Sequence, residues 1–240
     1  MKNIVLYIIA TVSSFCFFES KMSDDMKTYT VLKTQMDEGE TIVPLTEEQW
    51  EKAIPLTDFS QPWRTEPMQE TSFKALHSDK YLYLRYDVKD TNLIIYDDYK
   101  RKRDIVRSDR VEIFLRKDVG LKNYYCLEVD PNGAILDFSA THYRQFDDDW
   151  TWPKGHLFTK GTILDGGYRL DMMISKESLE DLGLIVNNVL EAGIFRADTD
   201  LLPDAENPDG DFKWITWVDP KTEDPDFHVP TSFGKLLLAE

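Results

Sequence analysis

Ten short runs of alternating apolar and polar residues, spread from Thr71 to Leu238, constrain the fold of this chain more than any other feature of its sequence. Successive side chains of a strand point to opposite faces, so a period of two marks a strand with one face buried. The runs are 72–76, 82–88, 110–115, 124–129, 134–138, 159–164, 168–174, 190–197, 214–217 and 235–238. Tight-turn chemistry separates several of them, at Ser78-Asp79-Lys80, Asp130-Pro131-Asn132-Gly133 and Asp165-Gly166-Gly167. Two stretches read as short helices: 46–53, where Thr46 and Gln49 form a capping box, and 175–182, closed by Gly183. With no long helices between the strands, a parallel α/β fold is excluded. The expectation is an all-β chain, an antiparallel β-sandwich of jelly-roll or immunoglobulin-like kind with one or two short helices. No repeat or low-complexity tract divides residues 41–240, which read as one domain.

Ahead of that domain the grammar changes. Lys2 precedes a mostly apolar run over 4–18, too short for a spanning helix and suited to a signal peptide over 1–20. Export to the periplasm, the cell surface or the medium is therefore expected, with no membrane insertion of the mature domain. Cys16 offers a lipid-acceptor site that Phe15 fits poorly. Residues 21–40 are polar and read as a flexible leader. Of the two cysteines only Cys126 would remain after export, so no disulfide forms within the mature chain, and no paired Cys or His ligands suggest zinc. Asp and Glu number 44 against 28 Lys and Arg, a net charge of −16, which argues against nucleic acid and anionic lipid and favours a neutral ligand or a cation.

Four segments then appear in order: HSDKYLYLRYDVKD from His77, SDRVEIF from Ser108, WVDP from Trp217 and FHVPTSFGKL from Phe227. Together, over about 71–238, they resemble carbohydrate-binding module family 9 and its stand-alone relatives in the DOMON-like superfamily. The resemblance implies a β-sandwich that holds sugar, classically the reducing end of a β-glucan or xylan chain, between two aromatic rings. In the xylanase-attached modules those rings are tryptophans, and structural calcium ions are also found. Followed residue by residue, the family's first Trp falls on Val106, six positions before Glu112, and its second on Phe227. Glu112 keeps the ligand-contacting carboxylate, while the strand that supplies an Arg in those members offers Glu128.

Sugar recognition has its own physical logic. A pyranose packs its C–H face on an aromatic ring and offers its hydroxyl rim to planar bidentate partners. Alternation puts Glu112, Phe114 and Arg116 on one face of their strand, opposite the core-facing Val111, Ile113 and Leu115. Arg196 and Asp198 share a face of the 194–198 segment, where the guanidinium either holds an acid or meets ligand. Trp217, beside the Asp219-Pro220 turn, serves the core or the site. Trp150 and Trp152 sit in a polar loop over 147–155, either as a replacement stacking platform or tucked under the sheet edge. The expected ligand set is Glu112, Arg196, Asp198, Phe227 and Trp217, with Trp150 and Trp152 assisting.

Other chemistry is weaker. The loop 198–211 carries Asp198, Asp200, Asp204, Glu206, Asn207, Asp209 and Asp211, oxygen enough for calcium but without helix-loop-helix spacing. No cofactor is otherwise expected. No nucleophile elbow or phosphate loop is present, and 44 acids make any chosen carboxylate pair uninformative. The sequence therefore points to a secreted, non-catalytic carbohydrate-binding module acting alone or beside polysaccharide-degrading enzymes. The alternatives are a haem-binding electron-transfer domain, with Met172, Met173 and His228 as ligands, and a glycoside hydrolase.

Overall fold

In the computed structural model, residues 26–36, 44–202, 204, 206 and 210–240 are described. The export segment and parts of the expected leader lie outside them. Among the described residues there are twelve strands: β1 (Thr28–Lys33), β2 (Thr71–His77), β3 (Tyr81–Lys89), β4 (Arg110–Arg116), β5 (Tyr124–Val129), β6 (Ile135–Thr141), β7 (Gln145–Asp147), β8 (Leu157–Leu164), β9 (Gly167–Ser175), β10 (Val189–Thr199), β11 (Phe212–Thr216) and β12 (Gly234–Leu238). Each of the ten alternating runs falls on one of these. The two helices are α1 (Glu47–Trp50), with the Thr46–Gln49 capping box in place, and α2 (Lys176–Asp181), capped by the Ser175 side chain. No helix among the described residues is long and apolar enough to cross a membrane.

Two expectations are corrected. The sheet is mixed, because β1 pairs parallel with both β12 and β2, while every other ladder is antiparallel. And the leader is not featureless: its residues 28–33 form β1, with Val31 fully buried. The strand order β7-β6-β5-β4-β10-β12-β1-β2-β3-β9-β8, with β11 on β10, is one continuous curled sheet whose two halves meet at β1.

Alternation explains how the halves pack. Val111, Ile113 and Leu115 of β4 join Phe73, Leu82, Leu84 and Tyr86 of β2 and β3 in a shared core, as the pattern predicts. Tyr86 donates its hydroxyl to the Glu112 carbonyl across this core at 3.0 Å. The opposite face of the β4–β5–β10 half carries a second apolar cluster built on Phe114, Tyr124, Phe138, Phe195 and Phe227. Beneath the other half, Trp50 of α1 and Ala53 just after it pack against Leu76, Tyr83 and Met173.

Candidate ligand pocket

The outward face of β4 begins one alternation earlier than Glu112, at Arg110, and that residue organises the pocket. Glu112 stands opposite Glu128 of β5 and Phe195 of β10 in the ladder, so two carboxylates share one patch of sheet. Arg110 lies between them, its Nε donating to Glu128 Oε2 at 2.7 Å and its Nη2 lying 3.0 Å from Glu112 Oε1. The second contact is close but poorly directed, which leaves Glu112 Oε1 without a well-formed hydrogen bond. All three side chains are buried. Burial, followed by repulsion from Glu128, lifts the Glu112 carboxyl to about 8 even with Arg110 pulling the other way.

Aromatic rings wall this floor. The Arg110 guanidinium sits 5.3 Å from the Phe212 ring centre and 5.4 Å from that of Trp214, both carried by β11. Val106, Phe138, Phe146, Pro225, Phe227 and His228 complete the lining, and Arg103, Arg107, Arg144 and Asp226 stand around it. The cavity volume is about 390 Å³, within the range of small-molecule sites. His228 is held well below the ordinary histidine value, at about 3, chiefly by burial and then by Arg144.

The expected residues divide sharply on their positions. Glu112 and Phe227 line the pocket, but Phe227 is only 5% exposed and stacks on Phe195 at 4.0 Å and 10° between planes, so one face is already covered. Arg196 and Asp198 do not converge with Glu112. Arg196 is one residue out of phase with Phe195 and points into the inter-half core, where Nη2 bonds Asp90 at 3.0 Å and lies 3.4 Å from Asp198. Trp217 is core, 1% exposed, with its ring where a Cβ on Gly234 would collide at 2.5 Å. The Trp150–Trp152 loop folds onto the far side of the sheet. Both indoles pack on Tyr125, at 4.8 and 6.3 Å, and the Trp152 Nε1 donates to Ser178 Oγ. Missing from the expected set are Arg110, Phe212 and Trp214, all of which line the pocket. Arg110 was recoverable by continuing the β4 alternation back by two residues. The haem candidates stay apart: Met172 lies in the inter-half core and Met173 beneath α1, while His228 stacks on Phe114 at 4.9 Å.

A separate group of acids tests the fit of a metal ion. Asp90, Asp109 and Asp198, all buried, place carboxylate oxygens within 4.8 Å of one another. Backbone amides of Ile94 and Thr199 donate to Asp109, and Arg196 donates to Asp90, but neither oxygen of Asp198 accepts a hydrogen bond. Burial first, then the backbone amides pulling it down and Asp90 and Asp198 pushing it up, leaves the Asp109 carboxyl at about 7. An all-oxygen, acid-rich set whose Asp198 oxygens accept no hydrogen bond, with Arg196 3.4 Å away as its ion-pair neighbour, fits a hard cation such as calcium. Among the described residues of the 198–211 loop, only Asp198 belongs to it. Asp200 instead pairs with Lys213 and Asp211 with Arg64, while Asn207 and Asp209 lie outside the described residues.

No curated protein matches the chain at a significant level. Among solved structures, a Bacteroides uniformis ATCC 8492 protein proposed to bind carbohydrate is similar with a TM-score of 0.63 and 18% identity, over 89% of this chain and 100% of that one. A family 9 carbohydrate-binding module from Caldicellulosiruptor kristjanssonii is similar in its glucose complex (TM-score 0.55, 18% identity, 89% of this chain and 96% of that one). Its cellotriose complex gives a TM-score of 0.55 and 17% identity, over 88% and 93% of the two chains. At such identities these structures speak for the fold. The family model "Carbohydrate family 9 binding domain-like" matches residues 45–240, most of the chain, and on that match the chain belongs to the carbohydrate family 9 binding domain-like family.

Proposed function

We propose that the chain is a secreted, non-catalytic carbohydrate-binding protein that holds one sugar unit in the Arg110–Glu112–Glu128 pocket. We read the curled sheet as the family's β-sandwich, its two halves serving as leaves. The observation that carries the function is the pairing of a planar, buried carboxylate–guanidinium–carboxylate floor with the Trp214 ring, half-buried at the edge of a cavity of about 390 Å³. Glu112 Oε1, lacking a well-directed partner, is free to meet a hydroxyl, and Trp214 takes the stacking role that Val106 and the covered Phe227 cannot fill. Glucose and cellotriose are bound by the Caldicellulosiruptor module, and sugar is the ligand class carried over here. Hydrolysis would need two carboxylates on opposite sides of a scissile bond, whereas Glu112 and Glu128 lie side by side and share one arginine. The segment over 1–20 directs export, and polysaccharide-degrading enzymes are the natural neighbours of such a module. Asp90, Asp109 and Asp198 hold one calcium ion that ties β4 and β10 to the end of β3.

A glycan array on the full chain, followed by titration of each hit against Trp214→Ala and Glu112→Gln, tests the reading. Each variant is expected to weaken binding about tenfold while keeping the fold. A glycan whose affinity neither change touches would place the site elsewhere.

A further inference from the structure

β6 and β7 are joined by only three residues, His142, Tyr143 and Arg144, with Thr141 opposite Gln145 in the ladder. The turn closes on Arg144 at φ +55°, the left-handed residue that a three-residue hairpin calls for. So short a connection sends the rings on either side of it in different directions. Phe146, on β7, packs inward against Phe138 at 5.4 Å and His228 at 4.8 Å, and lines the pocket. Tyr143 stays outside and is 55% exposed; among the described residues it is the one Phe, Tyr or Trp that is neither buried nor half-buried. The ring is nonetheless held. Its hydroxyl donates to Asp226 Oδ2 at 2.6 Å, while Oδ1 of the same carboxylate accepts from Arg144 Nη1 at 3.0 Å and from the His228 backbone amide at 2.8 Å. Arg144 and Asp226 both line the pocket, so the exposed ring stands one hydrogen bond from its rim. A ring left in water contributes little to the fold, and one already fixed in place loses little freedom on meeting a ligand.

We infer that Tyr143 is a second stacking platform and that the ligand is an oligosaccharide of at least two units, the end unit in the pocket and the next laid on the Tyr143 ring outside it; this rests on the sugar-binding reading above. A cavity of about 390 Å³ holds the end unit and leaves a longer chain to continue over the rim formed by Arg144 and Asp226, beside which Tyr143 offers an aromatic surface to the C–H face of the following unit. Single exposed apolar residues are ordinary on a protein surface. Tyr143 differs in being anchored through its hydroxyl to a side chain of the pocket itself, so that the floor, the rim and the outer ring form one pre-set surface.

Glucose and cellobiose, which differ by one unit, form the matched pair for the test. Each is titrated into the full chain by NMR, following the Trp214 indole signal, and into Tyr143→Ala and Tyr143→Phe, whose Tm values are checked against the parent. Cellobiose is expected to bind about fivefold or more tightly than glucose. Tyr143→Ala should remove most of that lead while leaving glucose affinity within about twofold, and Tyr143→Phe, which keeps the ring and loses its anchor, should retain part of it. Cellobiose binding no tighter than glucose, or a lead that Tyr143→Ala leaves intact, overturns the outer platform and leaves the pocket standing. Loss of the lead in Tyr143→Phe as complete as in Tyr143→Ala overturns stacking as its source. Equal weakening of both sugars by Tyr143→Ala also overturns the inference, since the ring would then act on the pocket itself. Binding of neither sugar at about 50 mM overturns the inference and the pocket reading together.

Discussion

Phe227 and Trp214 lie side by side in the pocket and answer to different physics. Phe227 is buried, stacked on Phe195 and edged by Trp214 at 5.6 Å, so Phe227→Ala opens a cavity in the second apolar cluster. The expected cost is about 3–5 kcal/mol of stability, read as a fall in Tm or in denaturation midpoint. Trp214→Ala, half-exposed, should cost far less stability and more binding. A Phe227→Ala protein as stable as the parent would mean that the stack does not form. The buried acids make a second prediction. Glu112 is lifted to about 8 from its ordinary 4.5 and Asp109 to about 7 from 3.8, so the folded state keeps protons that the unfolded chain has released. In calcium-free solution stability therefore falls as pH rises between those values. His228, lowered to about 3 from 6.5, charges only in the unfolded chain and adds the opposite slope below 6.5. The net fall therefore runs from about pH 4.5 to 8, steepest just above 6.5, and Glu112→Gln should flatten the Tm profile over that range. An unchanged slope in that variant would show that Glu112 is already ionised in the fold. Parity along β4 made Glu112 legible from sequence. The burial of Phe227 was not, since it depends on Phe195, a residue of a strand with no sequence proximity to it.

Among elements, β1 carries the most weight for its length. It joins the two halves of the sheet through a parallel ladder on each side, Tyr29 opposite Leu236 and Leu32 opposite Leu76. A chain begun at Lys21 keeps this strand and is expected to fold, whereas one begun at Thr34 should lose cooperative unfolding altogether. Within the strand, Val31→Asp would place an unpaired charge where nothing is solvent-exposed, at a cost of about 3 kcal/mol or more in chemical denaturation. Full stability of either altered chain would deny β1 its joining role. Its alternation, Tyr29 and Val31 inward against Thr28 and Thr30, was present in the sequence but drowned by the charged residues around it. β7 escaped because three residues are too few to show a period. The Trp150–Trp152 loop misled for a related reason: its composition is that of a surface loop, and only the position of Tyr125 reveals the apolar edge that receives it.

At the scale of the whole molecule the three buried aspartates tie together segments far apart in the chain, from the end of β3, the approach to β4 and the end of β10. Calcium at about a hundred times its dissociation constant should add about 2.7 kcal/mol of stability, seen as a rise in Tm of about 5–10 °C. Chelation should reverse the rise and Asp198→Asn should abolish it. A Tm indifferent to calcium would leave Asp109 to be neutralised by its proton alone. The distribution of charge was the least legible property. A total of −16 describes the exterior, and only folding gathers Arg103, Arg107, Arg110 and Arg144 from two separate stretches of sequence into one cavity.

The parallel pairing of β1 with β12 also decides how the molecule bears a load. Thr28 enters beside Lys235 and Val31 lies beside Leu238, so the two strands run in the same direction with their outgoing ends at opposite extremities. Tension applied between the segment before Thr28 and the segment after Leu238 slides one strand along the other and strains every bond of the ladder at once. Antiparallel terminal strands would instead part like a zip, one bond at a time. A domain drawn between these two ends would thus yield by shear rather than by peeling.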